Sequence, residues 1–358
     1  RRVRKLPPVW DLALVVLTVL TFGYLILNYE RIAQNGGRIN QFELIIAGVA
    51  PVLAFEAARR ASGNLAILAL IFLAYNWFGQ YLPGKLGHNG FTLKRVLSTQ
   101  FWGTQGLLGT GIGVSATYIF LFVVFGAFLK YSGFSRFIND FSLTLVGQTA
   151  GGPAKVAVIG SALFGTISGN SAANVVASGT FTIPMMIKVG YSPRFASAVE
   201  AVASTGGQMT PPILGAAAFI IAEYVNVPYI EVAKAAAIPA FAAYAGLLWI
   251  THVEACKLGL RGLSKSELPS FWTTLKEGLH FLIPICMLLY ELIIMQHSAE
   301  MSVFRAIVVL ALIMLGQPVV KAFVHKKSKR KALKEGIKTL LLPLSAGGSN
   351  MAGVAMAT

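Results

Sequence analysis

One uncharged stretch, residues 156–187, has at its centre the residue types that bind a hard cation. This centre is Gly165–Asn174, which reads Gly-Thr-Ile-Ser-Gly-Asn-Ser-Ala-Ala-Asn. Its hydroxyl, amide and backbone carbonyl oxygens suit such a cation, and they do so without burying a charged side chain. The alternative is that small residues here only let helices pack closely, as they do in membranes. The pattern therefore indicates an ion site or a close helix contact.

The length of this stretch favours an interruption at its polar centre. As a single helix it would rise about 48 Å at 1.5 Å per residue, whereas the hydrocarbon core of a bilayer is about 30 Å thick. Residues 168–171 are Ser-Gly-Asn-Ser, and one lysine flanks each end of the stretch. Two half-length helices would enter and leave the membrane by the same face. Such a re-entrant tip is tolerated only where protein or a water-filled site surrounds it.

A second apolar run, residues 195–222, carries a similar interruption. Its middle, Ser204–Pro212, reads Ser-Thr-Gly-Gly-Gln-Met-Thr-Pro-Pro. The two prolines remove two backbone donors and the two glycines loosen the same place, so we expect the helix to unwind there and expose carbonyls. Two broken elements that are neighbours in sequence are typical of secondary transporters.

The composition indicates a polytopic, all-α membrane protein. Of the residues, 55% are hydrophobic and 12% are charged, and the mean hydropathy is +0.67, whereas soluble domains average about 25% charged residues. The net charge of +16 comes from lysines and arginines in loops between apolar runs, which is the positive-inside pattern and not a nucleic-acid-binding stripe. The two cysteines imply neither a disulfide framework nor a metal cluster.

The basic loops also predict an orientation. Under the positive-inside rule the cytoplasmic segments are residues 1–5, 59–60, 188–194, 257–265 and 321–338. Residues 85–95 are then external. The basic run 321–338 could also contact the headgroups of membrane lipids. Apolar spans and a basic segment follow one another in a similar order before residue 129 and after residue 279. The two parts of the chain have opposite predicted orientations, which is a weak sign of an inverted repeat.

Four motifs resemble the fused membrane subunit of the tripartite ATP-independent periplasmic (TRAP) transporters, and most closely the TAXI-type branch. In chain order they are Gly151–Val158, Gly165–Asn174, Gly179–Pro184 and Glu200–Pro212. The likeness is densest from about Gly103 to Leu263. It implies a small subunit fused ahead of a large subunit of the ion-transporter superfamily. That large subunit would contain two inverted repeats, each with a re-entrant hairpin and a broken helix.

The resemblance implies an organisation for this chain. Residues 1–95 would be small-subunit-like helices with the start of an interfacial arm. Residues 96–250 would be the first transport repeat, with the hairpin at 156–187 and the broken helix at 195–222. Residues 251–278 would form a cytoplasmic loop, and residues 279–358 would start a second, incomplete repeat. The chain begins at Arg1 and holds one hairpin of an expected pair, so we expect it to be truncated at both ends.

The resemblance also implies a function and a site. A periplasmic binding protein would deliver a carboxylate substrate, and a sodium gradient would drive its uptake across the bacterial inner membrane by an elevator-type motion. The sodium ligands would lie at the hairpin tip and the helix break: Ser168, Gly169, Asn170, Ser171, Gly206, Met209 and Pro211. The substrate contacts would be Asn170, Asn174 and Thr210, where the two asparagines are four residues apart and could share one helix face. We expect no organic cofactor, transition metal or catalytic residue.

Two carboxylates within apolar runs have alternative interpretations. An intramembrane Glu200 would indicate a proton relay or an ion site, but its proximity to Arg194 favours an interfacial residue paired with a basic side chain. For Glu291 we expect a hydrogen bond between helices. Three other functions are alternatives for the whole chain. They are a standalone ion-coupled anion transporter without a binding protein, an intramembrane enzyme, and a structural subunit without a substrate path.

Overall fold

The computed structural model describes residues 8–34, 39–169, 171–324, 336, 339–349 and 351, and within these ranges the side chain of Ser168 is among a few that are left out. Every regular element in this part of the chain is helical. The chain divides into two compact units. Among the described residues, the first extends to Ser115 and the second from Ala116 to Met351. The predicted all-α architecture is confirmed for the described residues.

Five α-helices lie in the described part of the first unit. They are α1 (Val9–Gln34), α2 (Gln41–Ser62), α3 (Asn64–Phe78), α4 (Leu93–Phe101) and the short α5 (Thr110–Val114). The start of α2 is set by a capping box, in which Asn40 and Glu43 each accept a hydrogen bond from the other's backbone N–H at 2.8 Å. The Glu43 carboxylate also pairs with Arg31 of α1. These contacts join the ends of α1 and α2.

The second unit contains nine labelled helices. They are α6 (Phe120–Ser132), α7 (Phe134–Val146), α8 (Gly152–Ser168), α9 (Ser171–Val189), α10 (Pro193–Gly206), α11 (Ala216–Val225), α12 (Tyr229–Lys257), α13 (Phe271–Leu289) and α14 (Ala299–Val324). A π-helical segment, Ser115–Ile119, precedes α6, and another, Tyr290–Ile294, follows α13. In the centre of the unit α8 packs against α7, α9, α10 and α12. Buried alanines of α8, α10 and α12 form its core, which lets these helices approach closely.

Six helices are long and apolar enough to cross a membrane among the described residues. They are Val9–Gln34, Gln41–Arg60, Thr110–Ser132, Tyr229–Lys257, Lys265–Ile294 and Ala299–Pro318. Each coincides with an apolar run of the sequence, although most of the helices extend beyond the apolar residues. The largest extension concerns the predicted loop 251–278, because α12 continues to Lys257 and α13 begins at Phe271. Charged side chains such as lysine and glutamate are good helix formers, so a helix does not end where hydropathy falls.

The two predicted interruptions are present. The first separates α8 from α9 at Gly169, and these helices pack against each other as a hairpin, with wider bounds than residues 156–187. The second follows Gly206, where α10 gives way to a 3₁₀ turn, Gly207–Met209, and then to irregular chain before α11. The peptide bond between Pro211 and Pro212 is cis.

Candidate functional site

The tip of the α8–α9 hairpin lies against the break between α10 and α11. The backbone N–H of Ile213 in the break donates to the carbonyl of Thr166 near the end of α8, at 3.1 Å. The side-chain amide of Gln208 donates to the hydroxyl of Ser171, the first residue of α9, at 3.2 Å. The predicted meeting of the two interrupted elements is therefore made by direct hydrogen bonds.

Two glycines allow this close approach. Gly165 on α8 and Gly207 in the break face each other, and a Cβ built on either one would collide with the Cα of the other. Any larger residue would push the two backbones apart, so the contact depends on glycine at both positions. The hairpin and the broken helix are thus packed backbone to backbone.

The hairpin turn itself depends on Gly169. This residue has φ +56°, in the left-handed region, and its N–H donates to the carbonyl of Gly165 at 3.2 Å. A Cβ at Gly169 would also collide with the carbonyl oxygen of Leu214 in the break. A left-handed residue that ends a helix is usually glycine, because other residues pay a steric penalty there.

The break is held by hydrogen bonds that replace the missing helical ones. The hydroxyl of Thr210 donates to the carbonyl of Gly206 at 2.9 Å. The N–H of Gly215 donates to the carbonyl of Gln208 at 2.7 Å. The hydroxyl of Tyr229, at the start of α12, lies within hydrogen-bonding distance of the carbonyls of residues 212 and 213. Its ring stacks on Phe219, with centroids 4.4 Å apart, so this irregular segment has a defined conformation.

Four helix ends converge at this contact. The carbonyl ends of α8 and α10 lie at Ser168 and Gly206, and the amino ends of α9 and α11 lie at Ser171 and Ala216. Residues 156–187 and 201–222 contain no charged side chain, so the field from these segments comes from backbone dipoles. Carbonyl ends carry partial negative charge and attract cations, while amino ends carry partial positive charge and attract anions. The geometry can therefore serve a cation and an anion side by side.

The predicted sodium ligands have different environments. Ser171 and Gly169 contact the break directly, the former through Gln208 and the latter through Leu214. Gly206, Met209 and Pro211 all lie in the break, where Gly206 packs under the ring of Tyr244 and the Met209 side chain is 46% exposed. The side chain of Ser168 and the whole of Asn170 lie outside the described residues. Their assignment as sodium ligands stays a prediction.

The two described residues among the predicted substrate contacts have different environments. Asn174 is fully buried within the hairpin, and its side-chain amide donates to the carbonyl of Ser161 at 2.9 Å. Thr210 lies in the break, where its hydroxyl donates a hydrogen bond to the carbonyl of Gly206. Asn170, the third of these residues, is outside the described part of the chain. The substrate role of all three stays a prediction.

The prediction that Glu200 is an interfacial residue paired with a basic side chain is wrong. Its side chain is fully buried where α10 meets α8 and α9. Four hydroxyls surround the carboxylate: Ser161 at 2.9 Å, Ser178 at 2.5 Å and Ser204 at 3.1 Å from Oε1, and Thr182 at 2.6 Å from Oε2. Among the described residues, no ion pair includes Glu200.

Helix geometry explains why Arg194 does not reach Glu200. Six residues place the two side chains about 120° apart around the helix, and Arg194 lies on the exposed side. The sequence does contain a signal for the hydroxyl cluster. Asn174, Ser178 and Thr182 recur every fourth residue on α9, which puts three polar side chains on one face of an apolar helix. Neither this polar stripe nor Gln208 and Tyr229 were recognised from the sequence.

The predicted inter-helix role of Glu291 is confirmed. Its carboxylate, at the start of the π-helical segment after α13, accepts two hydrogen bonds from one nitrogen of Arg305 on α14, at 2.7 and 2.9 Å. His297 in the connecting turn also contacts it, at 2.5 Å. The three side chains join α13 to α14.

The six long apolar helices define a multi-pass helical membrane protein. Comparison with known proteins then gives its family. Residues 49–356 match the family described as "Tripartite ATP-independent periplasmic transporter, DctM component". This match covers most of the chain, and the chain therefore belongs to the DctM family of TRAP transporter large permeases. With its apolar helices, this family membership places it in the bacterial inner membrane.

Three curated relatives illustrate the similarity. The C4-dicarboxylate TRAP transporter large permease protein DctM of Rhodobacter capsulatus is 28% identical over 169 residues, which cover 44% of this chain and 38% of that protein. The protein of the same name from Vibrio cholerae is 35% identical over 106 residues, 30% of this chain and 23% of the relative. The isethionate TRAP transporter permease protein DctMQ of Oleidesulfovibrio alaskensis is 38% identical over 92 residues, 25% of this chain and 14% of the relative. The matched segments thus span at most 38% of these relatives.

Proposed function

We propose that this chain is part of the membrane permease of a TRAP transporter, which takes up a carboxylate with sodium after a periplasmic binding protein has delivered it. The contact between the hairpin tip and the helix break carries this proposal, because it brings together four helix ends and an irregular backbone rich in carbonyls. Irregular backbone of this kind is tolerated at membrane depth where it lines a site. Family membership supports the assignment to a transporter.

The proposed sodium site uses backbone carbonyls and hydroxyls at this contact. Its ligands would come from residues 168–171 at the tip and from Gly206, Met209 and Pro211 in the break. The donor set fits a hard monovalent cation, since carbonyl and hydroxyl oxygens offer no full negative charge and no soft ligand atom. The carbonyl ends of α8 and α10 add a favourable potential for a cation.

The proposed substrate position is beside the amino ends of α9 and α11. Those ends favour an anionic group, and Asn170, Asn174 and Thr210 are the polar side chains that we assign to it. Two relatives are named for small organic anions, one for C4-dicarboxylate and the other for the sulfonate isethionate. Following the C4-dicarboxylate permeases, we propose a small carboxylate as the substrate class of this chain.

We also propose a fused permease of the TAXI-type branch that is built on an inverted repeat. The hairpin α8–α9 would be re-entrant. It would move together with the broken helix as one body in an elevator-type cycle, against a scaffold that includes the first three apolar spans. The support for one moving body is the shared core of α8, α9, α10 and α12, in which Ala157, Met186 and Ala203 are all fully buried.

Uptake into proteoliposomes containing the full-length permease tests this function. The binding protein and the sodium gradient are varied separately. We expect accumulation of a radiolabelled carboxylate only when both are present. Uptake without the binding protein would instead support a standalone ion-coupled anion transporter, and uptake that ignores the sodium gradient would contradict sodium coupling.

Replacing Ser171 with leucine tests the site itself. A bulky apolar side chain would remove the hydrogen bond from Gln208 and push the tip away from the break. We therefore expect sodium-dependent uptake to be abolished while membrane insertion stays normal. Thr180→Leu on the same helix is the matched control, because Thr180 is exposed, and it should retain uptake. Full uptake by the Ser171→Leu protein would contradict the site assignment.

A further inference from the structure

We propose that Glu200 is a proton-binding site that links the α8–α9 hairpin to α10. This proposal goes beyond sodium-coupled uptake and does not depend on the substrate. Its starting point is a fully buried carboxylate contacted by hydroxyls from three helices: Ser161 of α8, Ser178 and Thr182 of α9, and Ser204 of α10 itself. Burying a carboxylate without a cationic partner costs free energy, and a buried carboxylate within a membrane protein is usually functional.

The surrounding charged groups do not neutralise this carboxylate. Lys155 on α8, Lys188 on α9 and Arg194 on α10 lie in the terminal turns of their helices, away from the hydroxyl cluster. On α12 the nearest titratable contact is Tyr244, whose hydroxyl donates to the carbonyl of Ala203 at 2.7 Å. The charged side chains of α12 pair elsewhere, Glu231 with Lys234 and Glu254 with Lys257. The ring of His252 is hydrogen-bonded to Lys155.

The distances favour a proton over a metal ion. The four hydroxyl oxygens lie 2.5–3.1 Å from the carboxylate oxygens, which is direct hydrogen-bonding distance. A cation between these oxygens would have to displace them outward, against helices packed through alanine and glycine. A proton needs no such space, because it adds to a carboxylate oxygen and lies along an existing hydrogen bond.

The hydroxyls can satisfy both protonation states of Glu200. The oxygen of Ser178 is also 2.8 Å from the carbonyl of Asn174, and that of Thr182 is 3.1 Å from the carbonyl of Ser178. When Glu200 is ionised, each hydroxyl donates to it. When a proton from the aqueous phase adds to the carboxylate, the acid O–H donates to one hydroxyl, and that hydroxyl turns to its own helix carbonyl. Within this cluster of described side chains, the carboxylate and the four hydroxyls each keep a partner in both states.

Protonation would change how firmly the hairpin is held. Hydrogen bonds to an ionised carboxylate are roughly twice as strong as bonds between neutral groups. Proton uptake by Glu200 would therefore weaken the contacts from Ser161, Ser178 and Thr182 that join the hairpin to α10. The predicted consequence is a hairpin that is more mobile at acidic pH.

Infrared difference spectroscopy on the full-length permease in lipid tests this proposal. We expect acidification to produce the carbonyl-stretch band of a protonated carboxylic acid, with a shift of that band in deuterium oxide. Exposed carboxylic acids absorb in the same range, so the signal of Glu200 is the component of this band that is missing in Glu200→Gln and kept in Glu223→Gln, which changes an exposed residue. Identical bands in the unaltered protein and in Glu200→Gln would overturn the proposal. Since no uptake is measured, this result is independent of the transport assay.

Thr182→Val provides a second test that leaves Glu200 itself in place. Valine has the shape of threonine without its hydroxyl, so the ionised carboxylate loses the donor to Oε2. We expect the frequency of the acid band to change, because the carboxylic acid loses one of its hydrogen-bond partners. Thr180→Val, an exposed change two residues away on the same helix, should leave the frequency unchanged. An unchanged frequency in Thr182→Val would overturn the assigned hydrogen bond.

Discussion

Single glycines decide the geometry of the candidate site at the residue scale. Gly169 ends α8 in the left-handed region, at φ +56°, and packs its Cα face against the carbonyl of Leu214. At Gly169 a side chain is excluded both by backbone strain and by lack of space. At Gly165 and Gly207 it is excluded by lack of space only. The sequence could predict a turn at Gly169. It could not predict that the carbonyl of Leu214 would lie where a Cβ would be, because that contact depends on how the helices pack.

Gly169→Ala tests this geometry. Adopting the left-handed region costs a residue other than glycine about 1–2 kcal/mol, and the collision with the Leu214 carbonyl adds to that. We therefore expect a lower unfolding temperature in detergent and loss of sodium-dependent uptake. Gly246→Ala on α12 is the control, because a Cβ there meets no atom within 4 Å, and it should be neutral or slightly stabilising. Equal unfolding temperatures for the two variants would contradict the strain argument.

At the scale of elements, the two interrupted helices form the site because each provides hydrogen-bond partners for the other. The break between α10 and α11 supplies an N–H at Ile213 for the end of α8, and α9 supplies a hydroxyl at Ser171 for the break. Proline and glycine in the sequence predicted where both helices stop. They could not predict that Tyr229, from the next helix, would hold the irregular segment in place.

Tyr229→Phe tests that supporting role. Phenylalanine keeps the stack on Phe219 but removes the hydroxyl that donates to the carbonyls of the break. A buried hydrogen bond of this kind contributes about 0.5–1.5 kcal/mol, so we expect a modest loss of stability. If these carbonyls belong to the sodium site, the sodium concentration for half-maximal uptake should rise. Tyr224→Phe, at a residue that is 73% exposed, should change neither quantity. An unchanged sodium dependence in Tyr229→Phe would show that these carbonyls do not belong to the sodium site.

At the scale of the whole molecule, the distribution of lysine and arginine predicts the orientation in the membrane. The basic residues 59–60 end one candidate span and the segment 257–265 connects two others, while residues 188–194 connect α9 to α10. The positive-inside rule assigns all three segments to the cytoplasmic face. We propose that α8 begins and α9 ends at this same face, since neither helix is among the long candidate spans. In that orientation the hairpin would be re-entrant.

Cysteine labelling in intact cells tests the orientation. Thr149→Cys and Lys188→Cys, before α8 and at the end of α9, are each made in a background in which both native cysteines are serine. We expect a membrane-impermeant maleimide to label neither in intact cells and both in inverted vesicles. Lys85→Cys, in the predicted external segment, is the control that should be labelled in intact cells. Labelling of the first two from opposite sides would show that the hairpin crosses the membrane and is not re-entrant.

The sequence by itself determined the membrane class, the positions of the long apolar helices and the two interruptions. These features are local, because hydropathy, proline and glycine act on the segment that contains them. Only the tertiary structure decided what each side chain meets. Glu200 was expected beside Arg194 and instead lies among hydroxyls from α8, α9 and α10. The physical reason is that burial depends on which helices pack together and on the direction in which a side chain leaves its helix. Distances along the sequence do not specify either one.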